Sequence, residues 1–296
     1  MIELEAHPGL PRTRIDGIDV STLDFGETLD QLEHWLTGSR SRRVVTANLD
    51  FLRLARVHDE LRDTLKSCDL VTADGAPLIW LSRWTGATIP ERVSGSDLVT
   101  PLIDRAARNG KSVYLLGGRE GVAQRAAKTL EATIPALQIA GTSSPWIDWD
   151  DPISARRVAH EVRESGAGLL VVALGCPKQD LFLARHLHAT GCQIGIGVGA
   201  SLDFLVGDVQ RAPMWMRRSG LEWAFRLLQE PSRMVGRYTS DAVHLARLMG
   251  RVVRLRLANA IAGSEVRAGW GVVARARTAI DRAPAPSMGP AGAGGA

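Results

Sequence analysis

The chain predicts an α/β fold, a doubly wound, mostly parallel sheet with a helical, basic C-terminal appendage. Three observations carry this. The run Leu169 to Leu174 is apolar on both alternating faces and ends at once in Gly175 and Pro177, as a central strand between two helical layers does. Strand and helix patterns alternate around it, which implies parallel strands joined by right-handed crossovers. Beyond Pro213 strand patterns stop and arginines gather. Between Arg211 and Leu257 ten arginines face three acids, a net +7 in a chain whose total is +4.

Taken in order, residues 1–13 form a lead-in and 14–213 the core. Ile15-Asp16-Gly17-Ile18-Asp19-Val20 suggests a short hairpin, and Phe25 to Thr37 places Phe25, Leu29, Leu32 and Leu36 at helical spacing. A strand at Val44–Ala47 leads to a helix at Phe51–Leu65, and a short strand at Leu70–Thr72 runs into Ala73-Asp74-Gly75. The helix Ser96–Asn109 is stopped by Gly110. The strand Ser112–Leu116 then enters Gly117-Gly118 and the helix Glu120–Thr133. A strand at Leu137–Ala140, a helix at Ile153–Glu164, the central strand, a helix at Gln179–Thr190 and a strand at Gln193–Val198 complete the core. Residues 214–262 read as helices, and 263–296 as a low-complexity tail expected to be disordered.

The 296 residues, 45% apolar and 23% charged, suit a soluble globule larger than one minimal domain. No apolar run reaches bilayer length, and Met1 to Glu5 lacks the features of a signal peptide, so a cytoplasmic protein is expected. Cys68, Cys176 and Cys192 form no CxxC pair, which argues against a disulfide framework or structural zinc.

Several short motifs could carry chemistry. The turn after Leu174, with Lys178 and Gln179 opening a helix at Pro177, offers backbone N–H groups to an anionic oxygen. Gly117-Gly118 could cradle a phosphate or simply make a tight turn. A dinucleotide site would need GxGxxG and an acid near the next strand's end, and Gly-Gly-Arg-Glu-Gly supplies neither, which disfavours a nicotinamide cofactor. Asp74 stands where a strand opens into the crevice, placed to be a general base or a turn-capping residue. Asp148-Trp149-Asp150 spells DxD, but it leads into Asp151-Pro152 and a helix, where capping accounts for the acids. His186 and His188, two apart on a helix, point to different faces and share no metal. Arginines of the basic segment suit diphosphate oxygens or a solvated face. Nucleic acid is disfavoured because aromatic interleaving is sparse and no binding motif is present. From Thr239 to Asn259, Leu245, Leu248, Met249 and Val252 oppose Arg247, Arg251 and Arg254, a pattern that fits either an anionic leaflet or packing on the core.

Taken together, Thr46-x-Asn48, Ala73-Asp74-Gly75, Glu91-Arg92-Val93-Ser94-Gly95, Leu115-Leu116-Gly117-Gly118, Leu174-Gly175-x-Pro177-Lys178-Gln179, Gly197-Val198-Gly199 and Arg211-Ala212-Pro213 with Leu221-Glu222-Trp223 and Arg226-Leu227 resemble the WecG/TagA/CpsF family of bacterial glycosyltransferases. The motifs follow the family's order over roughly residues 14–240.

The resemblance implies a Rossmann-like core and a metal-independent, inverting transferase without cofactors. It implies transfer of a hexosamine-type sugar, typically N-acetylmannosamine, from a UDP donor to a polyprenyl-diphosphate-linked sugar in cell-wall or exopolysaccharide synthesis. Asp74 would be the base. Thr46 and Asn48 would line the sugar pocket beside Gly75, while Arg92 and Gln179 hold donor or acceptor. Gly117, Gly118, Gly175, Lys178 and Arg211 would complete the binding surface, and Arg226, Arg233 and Arg237 would neutralise the departing diphosphate. The appendage would sit against the anionic inner face of the cell membrane, and homo-oligomer formation is compatible with all of this. Asp180 replaces the family's usual glutamate, Ala200-Ser201 a more glycine-rich turn, and Gly236 a frequent arginine. Alternatives are a UDP-glucose or UDP-glucuronate transferase of exopolysaccharide assembly, or a non-catalytic sensor of nucleotide sugar or lipid.

Overall fold

The computed structural model describes residues 9–85, 88–148 and 151–262. The tail at 263–296, Trp149 and Asp150 of the DxD triplet, and most of the lead-in lie outside the described residues. A hairpin of β1 (Arg12–Ile15) and β2 (Ile18–Ser21) turns through Asp16 and Gly17, both at positive φ, as a two-residue turn between twisted strands demands. Helix α1 (Phe25–Leu36) starts with a capping box in which Asp24 and Glu27 satisfy each other's amides.

The core alternates as the sequence predicts. Its strands are β3 (Arg42–Ala47), β4 (Leu70–Ala73), β5 (Val113–Gly117), β6 (Ile139–Ser143), β7 (Leu169–Ala173) and β8 (Ile194–Gly197). Helices α2 (Leu49–Ala55), α3 (Asp59–Lys66), α4 (Ala76–Thr85), α5 (Gly95–Arg108), α6 (Val122–Thr133), α7 (Pro152–Ser165), α8 (Lys178–Thr190) and the short α9 (Ser201–Leu205) connect and follow them. The six strands form one sheet in the order β4-β3-β8-β7-β5-β6, and every pairing is parallel. The sheet is therefore Rossmann-like and wholly parallel, with the only antiparallel pair among the described residues in the separate hairpin.

Alternation along each strand divides the core. Val44, Leu70, Leu115, Val171 and Ile196 face α1, α5 and α6. On the other side Val45 and Val71 meet the hairpin, α2, α3 and α4, while Leu116, Leu170 and Val172 meet α7 and α8. Burial on both faces is why these strands read as unbroken apolar runs.

Helix α4 stands where the sequence predicts no element, β6 runs two to three residues later than Leu137–Ala140, and two further stretches differ from expectation. The helix expected over Phe51–Leu65 is two, because His58 takes an extended conformation (φ −122°, ψ 99°) and restarts the chain as the N-cap of α3. Pro177 caps α8 one position earlier than its reading as a first helical residue, after a cis Cys176–Pro177 peptide.

Gly117 shows how closely β5 and β7 meet at their carboxyl ends. Its φ is +105°, and a Cβ there would lie 2.7 Å from the backbone of Ala173. Gly117→Ala is expected to cost about 2–4 kcal/mol from combined backbone strain and overpacking. The check is a lower urea midpoint with unchanged slope.

The appendage comprises α10 (Met214–Arg218), α11 (Glu222–Gln229) and α12 (Pro231–Ala262). Of the two roles open to the α12 stripe, packing on the core is what Leu248 and Val252 do. Both are buried, and Leu245 and Met249 lie against the same cluster as the hairpin, α2 and α4. Asp16 pins the helix there by pairing with His244 (3.3 Å) and Arg251 (3.2 Å). No helix among the described residues is long and apolar enough to cross a membrane.

Candidate active site

The carboxyl ends of β3 and β4 place Thr46, Asn48 and Asp74 side by side. Asp74 donates its backbone N–H to the Ala47 carbonyl (2.7 Å), which fixes the β4 exit against the β3 exit. Helix α4 begins at Ala76, so Asp74 is not the residue that caps it. Among the described residues its carboxylate faces a guanidinium, with Arg92 Nη1 at 3.7 Å. The side chain keeps 27% of its surface exposed yet lies recessed, and that desolvation pushes its pKa up to about 6. Arg92 and Arg226 pull the value down, while Glu222 and Asp97 push it up.

Arg92 is held on both sides. The Val93 amide bonds the Ala73 carbonyl (2.9 Å), and the Glu91 carboxylate accepts the Phe25 amide (2.8 Å). Its guanidinium spans three acids, with Glu222 at 2.7 Å and Asp97 at 2.8 Å besides Asp74. Asp97, in the first turn of α5, accepts from Ser94 Oγ (2.6 Å), Arg92, Arg211 (2.6 Å) and Arg217 (3.2 Å). Burial alone would raise its pKa, but Ser94, Arg211 and Arg92 outweigh that and hold it below the usual carboxylate range. The acid thus ties Arg92, the neighbour of Asp74, to Arg211 at the end of the core and to Arg217 of the appendage.

The remaining residues take different places. Thr46 is buried and donates to the Gly197 carbonyl (3.3 Å). Asn48 caps α2 by accepting from the Asp50 and Phe51 amides, with Gly75 beside its Cβ. Gln179 is buried, and its Oε1 accepts the Gly199 amide (3.0 Å), bracing the β8 exit. Lys178 lies over the Trp146 ring at 5.9 Å. Gly175 makes the turn before the cis peptide, at φ +75°.

Gly117 and Gly118 sit four strand positions from β4, about 19 Å away at ordinary strand spacing. The Gly118 amide bonds the Ala173 carbonyl, so packing accounts for this pair.

The four binding arginines do not form one group. Arg211 meets Asp97, and Arg226 lies over Phe204 (5.2 Å) close enough to act on Asp74. Arg237 instead pairs with Asp50 (3.0 Å), two residues past Asn48, and Arg233 is exposed with Glu230 at 2.8 Å. A new helix begins at Pro231, so helical spacing carried across that point does not hold. Asp97, Glu222 and Arg217 are the site residues that sequence reasoning missed. Ser94 caps α5 by accepting from the Asp97 amide, but nothing local announces the Asp97 partners 114 and 120 residues onward.

A carboxylate recessed at a strand tip, with two guanidinium groups acting on it, has the chemistry to take a proton from a hydroxyl beside a bound anion. The sequence model of the glycosyl transferase WecG/TagA/CpsF family matches residues 13–260. A protein of Bacillus spizizenii named N-acetylglucosaminyldiphosphoundecaprenol N-acetyl-beta-D-mannosaminyltransferase is 29% identical over 223 residues, 75% of this chain and 84% of its own. A protein of the same name from Bacillus subtilis is 29% identical over 206 residues, covering 69% and 78% of the two chains. With its parallel sheet, its ordered motifs and a match running from the hairpin nearly to the end of α12, the chain belongs to the WecG/TagA/CpsF family of glycosyl transferases.

Proposed function

We propose that the protein transfers a hexosamine, N-acetylmannosamine or a close relative, from a UDP donor to a sugar carried on a polyprenyl diphosphate. The observation that carries the reading is the recessed Asp74 beside Arg92 and Arg226, on a chain related to transferases of that name. An acceptor hydroxyl oxygen attacks the donor's anomeric carbon as the bond from that carbon to the UDP oxygen breaks. Asp74 takes the hydroxyl proton, and UDP departs with its negative charge held by arginines. One carboxylate suits a single displacement with inversion, and guanidinium groups do the work a metal would otherwise do on the diphosphate. The work is done at the inner face of the cell membrane, where a lipid-linked acceptor meets a nucleotide sugar.

The test is UDP release from candidate UDP-sugars with a polyprenyl-diphosphate-linked N-acetylglucosamine in excess EDTA. Release with UDP-N-acetylmannosamine is expected. No release with any donor would overturn the reading, and release only without EDTA would overturn its metal independence.

A further inference from the structure

A recess of about 440 Å³ opens beside Asp74, between α4, the Pro90–Arg92 loop and α10, within the size range of small-molecule sites. Helix α4 supplies Ala76, Ile79, Trp80 and Arg83, which fall on one helical side, while Leu78, Leu81 and Ser82 are buried on the other. Across from them stand Met214 and Arg217. The wall is tightly built, because Gly220 turns at φ +76° where a Cβ would lie 2.9 Å from the Ala76 Cβ. The far end of α4 is held by α12, whose Arg256 donates to the Trp84 carbonyl (2.8 Å) and lies over that indole at 5.3 Å.

The lining is graded. Arg92 and Arg217 lie at the inner end with Asp97, and Arg83 follows two turns of helix beyond Ala76, about 10 Å along the axis. Arg83 is exposed and has no ion-pair partner among the described residues. At the mouth the large apolar side chains are exposed: Trp80 (46%), Met214 (53%) and, next to it, Trp215 (65%). A path that runs from Arg92, the neighbour of Asp74, past further arginines to exposed indoles matches a molecule that is sugar at one end, diphosphate in the middle and hydrocarbon at the other.

We propose that this recess is the seat of the acceptor's lipid diphosphate, with Arg83 and Arg217 on the diphosphate and Trp80 and Met214 against the first isoprene units. This deepens the acceptor assignment above and rests on it. The donor's diphosphate is then left to Arg226, which acts on Asp74 but does not line the recess, so one base serves two separately held anions.

The test uses the full chain and farnesyl diphosphate as a short probe in isothermal titration, with UDP titrated in parallel. Wild type is expected to bind the probe with UDP already bound. Arg83→Ala and Trp80→Ala, both at exposed positions, are each expected to weaken it roughly tenfold or more without changing UDP affinity. Arg83→Lys, which keeps the charge, should recover part of the loss. Probe binding that is unchanged in Arg83→Ala, or that competes with UDP one for one, would overturn the proposal. So would a variant that loses only its affinity for phosphatidylglycerol vesicles, since that would assign Arg83 to a lipid surface. A wild type that binds the probe as described but transfers no sugar would sink the enzymatic reading and leave this site standing.

Discussion

Asp74→Asn is expected to lower turnover by about 10²–10⁴-fold, the usual contribution of a positioned general base, while UDP still binds. The amide keeps the shape and cannot take a proton. The surrounding structure should tolerate the change well, because the backbone of residue 74 is fixed by its own hydrogen bond to Ala47, and the carboxylate is neither a helix cap nor part of a close ion pair. Thermal stability is expected to hold or rise slightly, since a desolvated carboxylate whose pKa is pushed up is a cost to the folded state at neutral pH. Steady-state UDP release, UDP titration and a melting curve on the same preparation check it. Full activity in the variant would remove Asp74 from the chemistry.

Arg92→Ala is expected to lower kcat/KM by about 10²–10³-fold, comparable to removing one preorganised electrostatic partner. The guanidinium is the shared cation of Asp74, Asp97 and Glu222, so its loss leaves three carboxylates facing one another. It also releases Glu222, the first residue of α11 and a tie between appendage and core. Arg92→Lys should recover little. An ammonium cannot span Glu222 and Asp97 from opposite sides of a planar fork. Kinetics for both variants, with limited proteolysis of the appendage, check this, and an Arg92→Ala protein with normal kinetics would contradict it.

The sheet was legible because its strands are buried on both faces and announce themselves as apolar runs such as Leu169–Leu174. Helix α4 was not legible. Ala-Pro-Leu-Ile-Trp-Leu-Ser-Arg-Trp-Thr shows no single apolar stripe, because one side is buried in the core and the other lines a recess. Asp74 could be found from its place at a strand exit together with the family motif. Its partners divide by distance along the chain. Arg92 belongs to a local motif, whereas Asp97 gains its meaning from Arg211 and Arg217, which only the folded chain brings to it. Arg226 stands apart from Arg233 and Arg237 because α11 ends at Gln229 and a new helix starts at Pro231, a break that the run of arginines does not announce.

The pH dependence of kcat/KM in the wild type and in Arg92→Ala tests most directly whether Asp74 is a base tuned by its guanidinium neighbour. The base must be ionised to act, so activity is lost as pH falls through its pKa. A single acid limb near pH 6 is expected in the wild type, displaced upward in the variant because a cation that favoured the carboxylate has gone. A flat profile between pH 5 and 8, or a limb that stays in place when Arg92 is removed, would contradict it.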